Sequence, residues 1–335
     1  MQKPLNPKSN LIDKISVAPM LDITTSHCRY FHRLYSKNTT LYTEMVTTSA
    51  ILNSKYDILK FNKEENPLIL QIAGSNPKDS KACAKIINSL GYNGINLNLG
   101  CPSFKVQNAM IGAVLMKHKE LVKENILAIE EVSDLPISIK VRTGVDDLTG
   151  YQFIHDFIDY IVNNTNTNTY IIHARDAILN LDPKSNRSIP ELDYKKVYKL
   201  KEDFPNKKII LNGGVSSNQE IITHLEKLDG VMLGRAIDKH PSLLGTFDKD
   251  FFNAENYIDS VEAVLKYMPY MEKHLVQNTS RPSGLLKPLL NAFNSTIYSK
   301  KWRRFLSEEI MHNKSLKILE YRSNIENFIR KNILG

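Results

Sequence analysis

The chain has 335 residues, 42% hydrophobic and 24% charged, a globular balance that excludes wholesale disorder and leaves room for one large α/β domain plus a smaller one. No run approaches the eighteen apolar residues of a membrane span, and the opening MQKPLNPKSN lacks the apolar core of a secretory signal. Cys28, Cys83 and Cys101 lie far apart with no metal-ligand spacing, so a cytoplasmic protein with reduced thiols, no metal and no membrane association is expected. The net charge of +8 is unevenly spread: residues 251–335 carry 13 Lys and Arg against 8 Asp and Glu. That excess suits a polyanionic partner, although a Lys-, Asn- and Ile-rich coding bias would also raise the charge.

Eight short apolar, β-branched segments recur in chain order and read as strands: Ile15–Met20, Leu41–Val46, Leu68–Gly74, Gly94–Gly100, Ile137–Gly144, Thr169–Arg175, Ile209–Val215 and Gly230–Arg235. Helical patterns separate most of them, at Pro77–Leu90, Glu120–Val132, Tyr151–Val162 and Ser217–Leu228. Ser75-Asn76-Pro77 supplies cap and first-turn signals for the first of these, and Gly91 closes it. Eight strand–helix units in about 240 residues predict an α/β fold of the (β/α)8 TIM-barrel type, with a doubly wound open sheet as the alternative. After residue 250 the strand pattern stops. Tyr257–Val276, Gly284–Ser299, Lys301–His312 and Ser315–Ile333 predict a C-terminal helical bundle, giving domains at 1–250 and 251–335.

The predicted strands carry polar residues at i and i+2, hence on one face: Tyr42 and Glu44, Asn96 and Asn98, Lys140 and Arg142, His173 and Arg175, with Gln71 between Leu70 and Ile72. If their apolar neighbours face the helices, these groups point into the barrel near the strand C-termini, where barrel enzymes place their chemistry. Burying so many polar groups without partners is too costly for a purely structural reading. Asn212-Gly213-Gly214 ends the seventh strand and Gly234-Arg235 the eighth, a placement that suits phosphate. No GxGxxG fingerprint is present, so FMN or a sugar phosphate fits better than a Rossmann-bound dinucleotide.

Ser16-Val17-Ala18-Pro19-Met20-Leu21-Asp22, Leu41-Tyr42-Thr43-Glu44-Met45 and Asn96-Leu97-Asn98-Leu99-Gly100-Cys101-Pro102-Ser103 resemble the tRNA-dihydrouridine synthases. Ile139-Lys140-Val141-Arg142, Ile172-His173-Ala174-Arg175, Asn212-Gly213-Gly214 and Val231-Met232-Leu233-Gly234-Arg235 continue the resemblance in order, through Lys301-Trp302-Arg303-Arg304. His27-Cys28-Arg29-Tyr30-Phe31 and Asn186-Arg187 are similar to the bacterial A-type branch, which acts on positions 20 and 20a of the tRNA D-loop. The pattern departs from the branch at Ser188-Ile189-Pro190-Glu191 and at Val114, where many relatives have a second cysteine.

The resemblance implies an FMN-dependent reductase that uses NADPH to saturate the C5–C6 bond of uridine, with Cys101 as the proton donor to C5. An ordinary thiol, with pKa near ~8.5, holds its proton at neutral pH. It further implies that Ala18, Pro19, Met20, Gln71, Lys140 and His173 line the flavin, and that Asn212, Gly213, Gly214, Gly234 and Arg235 hold its phosphate. Asn98 and Arg142 are implied at the uracil, flipped out of its stack. Lys184 and Arg187, with Lys301, Arg303 and Arg304, are implied at the tRNA backbone. A monomer is the family-based expectation. Cys28 and Cys83, in helical patterns, read as buried small hydrophobes, and Trp302 as a core anchor of the bundle. Three rival functions keep part of this pattern: another FMN barrel, an aldolase-like barrel using Lys140, and a non-catalytic tRNA-binding protein.

Overall fold

The computed structural model describes residues 14–54, 58–103, 110–311, 313 and 317–335. The chain divides into two compact units, one made of residues up to Asp22 with Thr40–Gly234, the other of Ile23–Thr39 with Arg235–Gly335.

The first unit is a closed parallel barrel. Its strands are β1 (Ile15–Val17), β2 (Thr40–Tyr42), β3 (Val46–Thr47), β4 (Leu68–Ala73), β5 (Gly94–Leu99), β6 (Ile137–Arg142), β7 (Thr169–His173), β8 (Lys208–Asn212) and β9 (Gly230–Leu233). Each of β4 to β8 pairs with the next, β9 pairs with β1, β1 with β2, and β2 with β4, which closes an eight-stranded ring. The open-sheet alternative is thereby excluded. Parallel strands covered on both faces need apolar residues throughout, and β4 is buried along all six residues.

The expected strand Leu41–Val46 is split. β2 pairs Leu41 with Leu68 and Tyr42 with Ile69, whereas β3 pairs Val46 with Ile72 and Thr47 with Ala73, so one extra residue is accommodated between them. Thr43 bridges the break: its N–H donates to the Ile69 carbonyl, and its Oγ1 accepts the Gln71 N–H at 3.0 Å. A bulge of this kind bends the strand and re-aims the residues after it. Here it delivers Glu44 and Met45 to the C-terminal rim.

Helices return the chain between strands. Pro77–Ile87 starts as predicted, with Asn76 Oδ1 accepting the Lys78 N–H and Pro77 in its first turn, where its missing donor costs nothing. Lys119–Glu130, Tyr151–Asn164, Tyr194–Asp203 and Asn218–Leu225 come after it in chain order. Cys83 lies on the buried face of Pro77–Ile87, and burial pushes its thiol up to about 12.

The second unit is helical. Ser26–Tyr35 belongs to it, stacking Tyr30 on Tyr270 of helix Ser260–Val276 with ring centroids 3.8 Å apart. Buried Asp248 accepts from Ser36 Oγ and from the Lys37 and Asn38 amides, fixing the exit from Ser26–Tyr35. The single helix expected over Gly284–Ser299 is instead Pro282–Leu286 followed by a 3-10 turn at Lys287–Asn291, because Pro288 cannot donate to an α-helical ladder. Ser299–Arg304 runs on into a π-helical stretch, Phe305–Met311; His312 and the expected start at Ser315 lie outside the described residues. Trp302 is fully buried, packs on Phe293 and Phe328, and donates its indole N–H to the Leu289 carbonyl at 2.7 Å. Among the described residues no helix is long and apolar enough to cross a membrane.

Candidate active site

Ala18, Tyr42, Ile69, Ile171, Ile210 and Met232 form an apolar cluster within the barrel unit. Two residues further along the same faces come Gln71, His173, Asn212 and Gly234. The change from apolar to polar at this level marks the floor of a site at the C-terminal rim.

Gln71, Asn96 and Ser138 are register partners on β4, β5 and β6. Their side chains are joined: Gln71 Nε2 donates to Asn96 Oδ1 at 2.7 Å, and Asn96 Nδ2 donates to Ser138 Oγ at 2.9 Å. One step above, Asn98 Nδ2 donates to Gln71 Oε1 at 2.8 Å, while its Oδ1 accepts the backbone N–H groups of Gly100 (3.2 Å) and Cys101 (3.0 Å). These polar groups, three of them fully buried, are thus mutually satisfied rather than stranded.

Cys101 follows β5 directly. Its carbonyl accepts the Ala113 N–H, and its half-buried side chain, like that of Met45, packs against the Ala73–Ile111 cluster. Two cations face it electrostatically. Lys140, the register partner of Asn98, is driven down to about 7 by burial and by the Arg142 charge, with Cys101 acting in the opposite sense. Among the described residues no hydrogen bond or ion pair holds its ammonium. Arg142 is lowered to about 10, chiefly by burial; Cys101 opposes that shift while Arg175 and Arg187 add to it. Its Nε donates to the Gly100 carbonyl at 3.1 Å and its Nη1 to the carbonyls of Asp176 and Asn186. Arg142 therefore ties the Cys101 loop to the loop that leaves β7.

That second loop is organised by Asn186, which is fully buried. Its amide donates to the carbonyls of Ile178, Leu181 and Asp182 and accepts the Ile178 N–H. The turn so built holds Lys184 and Arg187 exposed at its surface. Arg175 reaches the Pro190 carbonyl and closes the loop's base.

Past β8, Gly213 (φ +110°) and Gly214 (φ +81°) both take left-handed conformations. A methyl group on Gly213 would meet His173 at 2.6 Å, and one on Gly214 would meet Leu192 at 2.5 Å. Two successive backbone amides in such a turn form a concave nest suited to phosphate oxygens. Asn212 anchors the turn by donating to the Met232 carbonyl at 2.9 Å. On the neighbouring strand end, a Cβ on Gly234 would lie 3.5 Å from both Ala18 Cβ and Met20 Sδ, so Ala18–Met20 and Gly234 line one wall. Glu44 Oε1 accepts the Asp22 N–H at 2.6 Å and pins the end of that segment.

Twelve of the residues singled out from the sequence thus gather at one rim: Cys101, Asn98, Gln71, Lys140, Arg142, His173, Ala18, Pro19, Met20 and the Asn212–Gly214 turn, with Gly234 beside them. Lys184 and Arg187 project from the loop above. Arg235 is exposed at the start of the short helix Arg235–Lys239, in the other unit. Lys301, Arg303 and Arg304 are exposed on Ser299–Arg304; they hydrogen-bond Asn332, Asn291 and Glu308 respectively. Asn96, Ser138, Glu44 and Asn186 were not singled out as site residues. The strand alternation flagged Asn96 and Glu44 as inward-facing and puts Ser138 on the face of Lys140 and Arg142, but nothing local in the sequence marks Ser138 or Asn186 as a partner.

A family model described as dihydrouridine synthase matches residues 16–330. The tRNA-dihydrouridine(20/20a) synthase of Pasteurella multocida is 46% identical over 297 residues, covering 88% of this chain and 90% of that one. The protein of the same name from Escherichia coli K12 is 45% identical, covering 88% and 86%. Among solved structures, a complex of 2-naphthoyl-CoA reductase aligns with a TM-score of 0.53 at 10% identity, over 70% of this chain and 50% of that one, a likeness of fold. With the family model spanning almost the whole chain and its motifs converging on one barrel rim, the chain belongs to the dihydrouridine synthase family, whose members are flavin-dependent oxidoreductases.

Proposed function

We propose that this enzyme reduces uridine to 5,6-dihydrouridine at positions 20 and 20a of the tRNA D-loop, with FMN as the bound cofactor and NADPH as the reductant. The observation that carries the reading is the joining of Cys101 to a cationic, hydrogen-bonded floor at the barrel rim. The curated relatives' names supply the substrate and its positions.

The residues present fit FMN. The Gly213-Gly214 nest suits its phosphate. Ala18, Pro19 and Met20 give an apolar wall for a flat ring, and Gln71 a polar edge. Lys140, lacking a partner among the described residues, and His173, packed on the glycine turn, supply the polar contacts the ring and phosphate side need. When bound and reduced by NADPH, FMN supplies the hydride that adds to uracil C6.

The chain's own groups do the rest. A uridine flipped into the rim would meet the remaining Nδ2–H of Asn98 and the Nη2 of Arg142, two donors available for its carbonyl oxygens. Negative charge builds on the O4 side as C6 gains hydride, and these donors stabilise it. The Cys101 thiol passes its proton to C5, and the charge left on sulfur lies within reach of Lys140 and Arg142. One NADPH and one proton are consumed for each uridine reduced. Lys184 and Arg187 above the rim, and Lys301, Arg303 and Arg304 in the region after residue 250, are the basic groups we assign to the tRNA backbone. We assign the barrel region to FMN and the helical region to tRNA, in a monomeric cytoplasmic enzyme.

Mass spectrometry of unmodified tRNA incubated with the protein, FMN and NADPH tests the reading. A gain of two hydrogens confined to D-loop uridines is expected. A yellow protein that consumes NADPH without altering tRNA would reject it in favour of another flavin barrel.

A further inference from the structure

The amide chain beneath Cys101 has a direction, and the backbone sets it. The N–H groups of Gly100 and Cys101 can only donate, so Asn98 must turn Oδ1 toward them. Its Nδ2 then faces Gln71, which must answer with Oε1. Gln71 Nε2 is thereby turned to Asn96, which must answer with Oδ1, leaving its own Nδ2 for Ser138 Oγ. Reversing any one member would bring two donors or two acceptors face to face. Gln71 and Asn96 are 1% and 0% exposed, so water cannot repair a mismatch there.

We infer that Asn96 is a positioning residue for the Cys101 loop: buried in β5, it fixes the sense of the Gln71 amide and, through Gln71 and Asn98, the Gly100 and Cys101 backbone amides. Asn96 is joined to Gln71 and Ser138 by its side chain, not to the loop itself. Its effect on chemistry would run entirely through the two amides above it. The register of β4, β5 and β6 puts Gln71, Asn96 and Ser138 side by side, so the chain is a product of strand pairing rather than of any local motif. This inference rests on the proposed role of Cys101 for its catalytic consequence, though not for its structural one.

Asn96→Leu and Asn96→Asp separate the possibilities. Leucine keeps the branched side-chain skeleton, with bulkier methyl groups, and removes the acceptor that orients Gln71. Aspartic acid keeps it: protonated, it donates to Ser138 as the amide does; ionised, it accepts from both neighbours. Hydrogen–deuterium exchange of the full-length, FMN-loaded protein reads the Gly100 and Cys101 amides directly. Stopped-flow absorbance reads flavin reduction by NADPH and its reoxidation by tRNA as separate steps. For Asn96→Leu, exchange at 100–101 should rise about tenfold and reoxidation by tRNA slow about tenfold, with a smaller loss in reduction by NADPH, a step the Cys101 proton does not serve. Asn96→Asp should restore both. If Asn96→Leu fails to fold, Ser138→Ala, which removes only the terminal acceptor, should give a smaller change of the same pattern.

Wild-type exchange at 100–101 in Asn96→Leu, acceleration spread evenly over β4 to β6, or an Asn96→Asp variant as impaired as the leucine would each overturn the inference. A wild-type protein inactive on tRNA would instead remove the proposed substrate, and the exchange arm would still decide the role of Asn96.

Discussion

The Cys101 amide and the Asn98 side chain are joined by a 3.0 Å hydrogen bond, in which Asn98 Oδ1 accepts the Cys101 N–H. A proton donor must be held within reach of the carbon it serves, and this bond fixes the backbone from which the thiol projects. Cys101→Ala leaves the bond intact, since residue 101 contributes only its main-chain N–H to it. The expected outcome is a turnover reduced about 10²- to 10⁴-fold with FMN content and tRNA affinity unchanged. Single-turnover assays with filter binding check it, and a full-rate alanine variant would take the acid role from Cys101.

Gly214→Ala tests the phosphate nest. At φ +81° a side chain is strained, by about 1–3 kcal/mol, and the new methyl would press on Leu192 besides. The variant should retain the barrel by circular dichroism, unfold at a lower temperature, and purify with little flavin. Wild-type flavin content would place the phosphate elsewhere.

Lys140 makes cofactor binding pH-dependent. Burial lowers its ammonium from the ordinary lysine value to about 7 in the free protein, and an anionic ligand beside it would raise it again. The sign is then fixed: FMN affinity is greatest below pH 7 and declines as pH rises from 7 toward the higher value of the bound state. The free protein behaves oppositely, because between pH 7 and 10.5 its unfolded chain binds the proton its folded state rejects, so stability rises with pH across that window. FMN fluorescence titrations from pH 6.5 to 8.5 should show the decline in wild type and a flat line in Lys140→Met. A slope shared by both proteins would assign it to another group.

Thr43→Val removes the hydroxyl that stands in for a ladder carbonyl at the β2–β3 break. The Gln71 N–H would be left buried and unpaired, at a cost of about 1–3 kcal/mol. Urea denaturation should show an unfolding free energy lowered by that amount, seen as a lower midpoint with the slope unchanged. No change would mean that the strand relaxes to offer another acceptor.

The barrel was legible because parallel strands buried on both faces write themselves as apolar runs, and Pro77, Gly91 and the terminal glycines punctuate them. The inward polar residues were legible by alternation, down to Gln71, Asn98, Lys140 and His173. Pairing, by contrast, leaves no mark in the alternation. Ser138 reads as an ordinary strand serine until the register sets it beside Asn96. Asn186 reads as a loop residue until its amide is found at the centre of its own turn. The split of Leu41–Val46 was hidden for a related reason: Thr43-Glu44-Met45 has the composition of a strand, and only the offset pairing to β4 exposes the extra residue. Ser26–Tyr35 lies early in the chain yet belongs to the helical unit, a long-range association no local pattern encodes.

The C-terminal basic residues are separable by salt dependence. Arg304 is exposed and paired with Glu308, and Arg303 reaches Asn291, so both are already engaged, though in exposed interactions that water and salt weaken. A phosphate would compete with Glu308 for Arg304 and gain from the release of condensed counterions. Replacing Arg303 and Arg304 together with alanine should lower tRNA affinity at low salt and reduce the log–log salt slope by roughly 0.7–0.9 for each phosphate no longer neutralised. Trp302 between them is buried and should keep the helix packed, so fluorescence of this only tryptophan in the chain reports whether the fold survives. Fluorescence anisotropy with labelled tRNA over roughly 50–300 mM salt reads the slope. An unchanged slope with an unchanged tryptophan signal would remove Arg303 and Arg304 from the interface and leave Lys184 and Arg187, beside the barrel rim, with Lys301 as the cations that hold the RNA backbone.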